Sequence, residues 1–189
     1  MNICIYLGAN QGNCPALTDT VVVLGEQIAK AGYRLVYGGS SLGLMGLLAK
    51  SVMAHGGKIT GVITKKLIMQ EPPFTTLDEL IVVDTMQERK LLMQQRSNAF
   101  IVMPGGLGTL EEAFDTWNAI KIGVLNKPIG FLNIEGYFDG LFSFISSCEN
   151  KGFISSSQAS IPEINADTQL LLNSVMKHEK VMGTEALAE

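Results

Sequence analysis

Apolar residues along this chain fall into two alternating patterns, short continuous runs and longer segments with apolar positions three or four apart. The runs are Asn2 to Gly8, Arg34 to Tyr37, Lys58 to Ile63, Glu79 to Val83, Ala99 to Met103 and Pro128 to Asn133. Short apolar runs set off by glycine, proline and asparagine read as buried strands. Ala16 to Ala31 carries Val21, Leu24, Ile28 and Ala31 at helical spacing and stops at Gly32, a residue well suited to follow a helix. Further helices are expected from the glycine turn at 38–46 to about His55, from Thr85 to about Asn98, and from Leu110 to about Ile122. Two more are expected, from Tyr137 to about Asn150 and from about Asp167 to His178. Thr64 to Leu77 is the least regular part, because Glu71-Pro72-Pro73 rules out a continuous helix. Ser155-Ser156-Ser157 reads as a polar loop, and the tail from Val181 to Glu189 is expected to fray.

Strands that alternate with helices and lack polar alternation predict a Rossmann-like α/β fold, a mostly parallel sheet with helices on both faces. One domain over residues 1–180 accommodates the whole pattern. In such sheets ligands bind outside the carboxyl ends of the strands, near a switch in strand order. Two glycine turns fall at strand carboxyl ends. The first is Gly38-Gly39-Ser40-Ser41-Leu42-Gly43-Leu44-Met45-Gly46. The second is Pro104-Gly105-Gly106-Leu107-Gly108-Thr109, followed by Leu110-Glu111-Glu112. Thr109 is the candidate N-cap of the helix after it, with Glu112 at capping-box spacing. A strand, a glycine turn and a helix N-terminus together make an anion site, where unpaired N–H groups and the helix dipole converge. Two carboxylates beside a phosphate cradle would repel the phosphate, which points to chemistry beyond phosphate binding. Neither turn fits a Walker-type or dinucleotide-binding glycine pattern.

The 189 residues carry a net charge of −4 with no basic run, which argues against nucleic-acid binding through a broad basic face. Cys4, Cys14 and Cys148 are odd in number and lack CxxC spacing, so a reducing, cytoplasmic setting is expected. The first residues enter a strand directly rather than a signal peptide, and no apolar run reaches the roughly 18 residues of a membrane span. Two distant histidines and three scattered cysteines suggest no metal site. His55 is read as helix capping, and Phe114 and Trp117 as core or dimer-face residues.

A third feature is Met86-Gln87-Glu88-Arg89-Lys90-Leu91-Leu92-Met93, where a helix would place Met86, Lys90 and Met93 on one side. Methionines at this spacing are usually core filler, and an Arg-Lys pair is usually solvated. Taken with Tyr37-Gly38-Gly39, Gly43-Leu44-Met45-Gly46 and Pro104 to Glu112, however, the order and spacing resemble the LONELY GUY (LOG) family over about residues 1–180. These are cytokinin riboside 5′-monophosphate phosphoribohydrolases, often mislabelled lysine decarboxylases.

The resemblance implies hydrolysis of the N-glycosidic bond of a nucleoside 5′-monophosphate, with no cofactor, by a homodimer whose active sites lie near the subunit interface. It makes Arg89 and Glu112 the catalytic pair. It assigns substrate binding to Glu71, Lys90, Gly105, Gly106, Leu107, Gly108, Thr109, Leu110, Glu111 and Asn118, and to Gly38, Gly39, Gly43, Met45 and Gly46. Asn118 stands where many relatives have threonine, and Ser40-Ser41 where a third glycine is common. The chemistry agrees: a carboxylate near the anomeric carbon stabilises an oxocarbenium-like transition state and orients the attacking water. A broader AMP hydrolase remains an alternative, as does a non-catalytic carrier of a phosphorylated ligand such as the molybdenum cofactor.

Overall fold

Alternation in the sequence becomes a single parallel sheet in the computed structural model, which describes residues 1–185. Its strands are β1 (Asn2–Tyr6), β2 (Arg34–Tyr37), β3 (Lys58–Thr64), β4 (Glu79–Val83), β5 (Ala99–Val102), β6 (Ile129–Leu132) and β7 (Glu163–Asn165). They lie in the order β4-β3-β2-β1-β5-β6-β7, and every pairing is parallel. The chain builds outward from β1 to β4, then returns to lay β5 against the other side of β1, with Ile3 opposite Ala99 and Tyr6 opposite Val102. That reversal is the switch point where a crevice must open.

Eight α-helices cover the sheet among the described residues: α1 (Pro15–Lys30), α2 (Gly43–Ala54), α3 (Lys65–Ile68), α4 (Met86–Gln95), α5 (Leu107–Lys121), α6 (Asp139–Asn150), α7 (Ser156–Ala159) and α8 (Thr168–Glu185). Side chains alternate along β1, so its two faces feed two cores. Ile3 and Ile5 pack with Leu24, Ile28, Leu48, Val52 and Leu172 beneath α1, α2 and α8. Cys4 and Tyr6 pack with Met93, Phe100, Trp117 and Phe131 beneath α4, α5 and α6. Each fully buried aliphatic or phenyl side chain contributes about 1.5–3 kcal/mol, which is why the strands read as continuous apolar runs.

Four expectations need correction. α5 begins at Leu107, three residues early, with Gly106 as an N-cap that makes no side-chain bond. Thr109 therefore lies inside the first turn, buried beneath Gly105, and Glu112 closes no capping box. The capping box instead opens α4, where Thr85 accepts the Glu88 N–H and Glu88 accepts the Thr85 N–H. Ser155-Ser156-Ser157 is the start of α7, held by reciprocal Ser155–Gln158 bonds. β7 is a three-residue strand whose single apolar residue gave no pattern. The tail expected to fray from Val181 is helical to Glu185, and 186–189 lie outside the described residues.

Candidate active site

A cavity of about 550 Å³ opens at the carboxyl ends of β1, β2 and β5, at the switch in strand order. Its walls are the loop from Gly8 to Cys14 after β1, Gly38 after β2, the turn from Pro104 to Thr109 after β5, and side chains reaching in from other elements. Among those are Met45, Glu71, Met86, Arg89, Glu112 and Tyr137.

The two oppositely charged residues meet here. Arg89 and Glu112 are only 5% and 8% exposed. Arg89 Nη1 donates to Glu112 Oε1 at 2.6 Å, and its Nε donates to the Val62 carbonyl at 2.9 Å, at the end of β3. The capping box fixes the start of α4, and Met93, one turn beyond Arg89, is fully buried and anchors the helix to the sheet. A buried ion pair survives only when its polar atoms are satisfied, and these two bonds do much of that. Burial pushes the Glu112 carboxyl above its usual range, while the Arg89 charge and hydrogen bond pull it down; burial prevails.

Beside Glu112, α5 presents an N-terminus with no side-chain cap, and Gly106, Leu107 and Gly108 line the cavity there. Its first N–H groups lack helical partners, and the dipole adds positive potential, so this end suits an anion. Gly105 must lack a side chain: a Cβ would overlap Thr109 Oγ1 and lie 2.9 Å from the Gly8 nitrogen.

The turn at 38–46 is used differently. Gly39 accepts the Phe74 N–H at 3.1 Å, and the Ser41 N–H and hydroxyl both donate to the Pro72 carbonyl, at 2.9 and 2.8 Å. Ser40 Oγ accepts the Leu42 N–H, and Ser40 bridges Pro73 in antiparallel fashion. The irregular 64–77 segment is thus strapped to this turn, which carries Glu71 into the cavity wall. Gly43, at φ +52°, lets the chain pass the Ala9 carbonyl, and Gly46 lets α2 pass the Ser41 carbonyl. Gly39, Gly43 and Gly46, expected to bind substrate, shape the turn and do not line the cavity; Gly38 and Met45 do.

Lys90, Leu110, Glu111 and Asn118 also lie outside the cavity of their own chain. Lys90 Nζ donates to Glu111 at 2.9 Å and lies 3.6 Å from Asp115. Leu110 packs against the core beneath α5. Asn118 borders a separate groove with Phe114, Trp117, Lys121 and Ile145, and Trp117 donates to the Gln158 carbonyl at 3.0 Å.

Sequence reasoning missed the loop after β1, where Asn10, Gln11 and Asn13 edge the cavity, and it missed Tyr137, whose hydroxyl donates to the Gly105 carbonyl at 2.8 Å. The loop could have been found from its place at a strand carboxyl end. Tyr137 had no local signal. Among the described residues, no group of three or more His, Cys, Asp or Glu is placed to hold a metal ion.

Fold and site together define a Rossmann-like α/β protein with a buried arginine–glutamate pair beside an open helix N-terminus. A family model described as possible lysine decarboxylase matches residues 45–175. The chain is 39% identical over 188 residues to cytokinin riboside 5′-monophosphate phosphoribohydrolase LOG1 of Arabidopsis thaliana, covering 97% of this chain and 88% of that one. It is 41% identical over 154 residues to a probable phosphoribohydrolase of the same kind, LOGL1, from Oryza sativa subsp. japonica, covering 80% and 68%. Among solved structures, the molybdenum cofactor carrier protein of Chlamydomonas reinhardtii superposes with a TM-score of 0.72 at 22% identity, covering 94% and 96%, a likeness of fold. The chain belongs to the LOG family.

Proposed function

We propose that this protein hydrolyses the N-glycosidic bond of N6-modified adenosine 5′-monophosphate, giving the free base, a cytokinin, and ribose 5-phosphate. The observation that carries this reading is the buried Arg89–Glu112 pair in the cavity wall beside the α5 N-terminus. The relatives named above as phosphoribohydrolases support it.

The N–H groups from Gly106 to Gly108 grip the 5′-phosphate, which sets the ribose beside Glu112. As the bond from ribose to base breaks, positive charge grows on the sugar, and the Glu112 carboxylate stabilises it and orients the attacking water. Arg89 braces that carboxylate and offsets part of the effect of burial on its ionisation. Glu71 contacts the base or sugar from the strapped loop. Binding energy from the remote phosphate orients the sugar, so a nucleoside without phosphate is a poor substrate.

Glu111, Phe114 and Asn118 share one exposed face of α5, next to Lys90. With exposed Phe144 and Phe153, that face supports a homodimer in which Lys90, Glu111 and Asn118 serve the substrate from the subunit interface. A cytoplasmic setting fits the unpaired cysteines. No helix among the described residues is long and apolar enough to cross a membrane.

The test is product analysis with AMP, GMP, CMP, UMP, N6-isopentenyl-AMP and the matching nucleosides. Free base from monophosphates only, fastest with isopentenyl-AMP, is the expected result. Comparable release from AMP shifts the reading to general nucleotide turnover. No release from any of them, together with a copurified pterin, replaces it with the carrier. Light scattering on the eluted protein reads the dimer.

A further inference from the structure

Arg89 donates through Nε to the Val62 carbonyl and through Nη1 to Glu112, and it lines the cavity. Nη2 lies over Gly38, so closely that a Cβ at position 38 would overlap it, come within 3.4 Å of Cζ and meet Met45 Sδ at 2.8 Å. The methionine sulfur ends a flexible chain and can move aside. The guanidinium cannot, because the Val62 carbonyl and the Glu112 carboxylate hold it on two sides. Gly38 is not among the glycines with positive φ, so its backbone conformation accepts alanine. What this position requires is the absence of a side chain.

We infer that Gly38 is a positioning residue for catalysis: the bare backbone at 38 seats the Arg89 guanidinium so that Nη1 holds Glu112. This rests on the proposed roles of Arg89 and Glu112. It differs from a phosphate-cradle role for Gly38, because the group that needs the space belongs to the protein. A methyl group at 38 displaces the guanidinium and weakens its hold on Glu112. The carboxyl then loses the influence that lowers its pKa and titrates at higher pH.

Gly38→Ala is expected to lower kcat on the order of 10–100-fold, more than it raises KM, and to move the acidic limb of the kcat–pH profile upward. Gly39→Ala is the neighbouring control: Gly39 sits at φ +77°, and its Cβ would meet Ile63 and Leu80. That variant loses thermal stability but leaves the limb in place. A folded Gly38→Ala enzyme with wild-type kcat and pH profile overturns the inference.

A thermal-denaturation cycle of wild type, Gly38→Ala, Arg89→Ala and the double variant needs no activity, so it separates this inference from the proposed reaction. The methyl group is expected to lower Tm in the wild-type background and to cost little once Arg89 is shortened. Equal losses in both backgrounds overturn it.

Discussion

The two glycine turns of this protein look alike in sequence, yet they do opposite work. Each follows a strand and opens a helix with no side-chain cap. At 38–46 the backbone groups are largely taken up inside the protein, by Pro72, Phe74 and the Ser40 hydroxyl. At 104–109 the turn is pinned from behind, by Thr109 beneath it and Tyr137 across it, and the start of α5 is left facing the cavity. One turn straps down the segment that carries Glu71, and the other leaves the start of α5 open to the cavity, where the proposed reaction needs a phosphate cradle. Glycine density marks close backbone approach, and only the destination of the N–H groups tells protein from ligand.

The largest expected effect comes from the carboxylate at the cradle. Glu112→Gln lowers kcat on the order of 10²–10⁴-fold with a much smaller change in KM, read by steady-state kinetics. In the unmodified enzyme the raised Glu112 pKa is expected to place the acidic limb of kcat/KM above the usual carboxylate range, read from a pH–rate profile. The stability sign is opposite to that of an ordinary salt-bridged carboxylate. A raised folded-state pKa means Glu112's contribution is fullest below its unfolded value and is lost as pH rises through the folded one.

The next contrast separates the turns directly. Gly105→Ala forces a Cβ against Thr109 and the Gly8 nitrogen, so the cradle opens and activity falls at least about tenfold beyond any loss of folded protein. Gly46→Ala forces one against the Ser41 carbonyl and costs about 1–3 kcal/mol of stability, while the protein that folds keeps its phosphate affinity. Equal effects on activity and melting for both variants would erase the distinction. The smallest effect is expected at Lys90, whose partners Glu111 and Asp115 are largely exposed. Lys90→Ala alters stability by about 0–1 kcal/mol. A nucleotide KM identical to wild type would remove Lys90 from the binding surface.

Much of the fold was legible because a parallel sheet covered by helices leaves apolar runs in its strands: β2, buried along most of its length, matches its run end to end, and so does the half-buried edge strand β4. β7 and α7 left no such record, since one is three residues long and the other is built from serines, glutamine and alanine. For the site, the sequence pointed to Arg89, Glu112 and Gly105 to Gly108. The choice of Glu112 over Glu111 came from the family resemblance and not from the local pattern, because it depends on where α5 starts. A start at Leu107 turns Glu112 inward to Arg89 and Glu111 outward to Lys90.

The return of β5 to the side of β1 has a kinetic consequence. Arg89 is held by β3, on one side of β1, and Glu112 by the helix after β5, on the other, so their pairing requires β1 and β5 to join across a loop of roughly a hundred residues. Local helices and the β1–β2 and β2–β3 neighbours form over shorter separations and therefore sooner. During refolding from denaturant, helical circular dichroism should recover first and hydrolytic activity last, and the interval between them times the closure of the sheet.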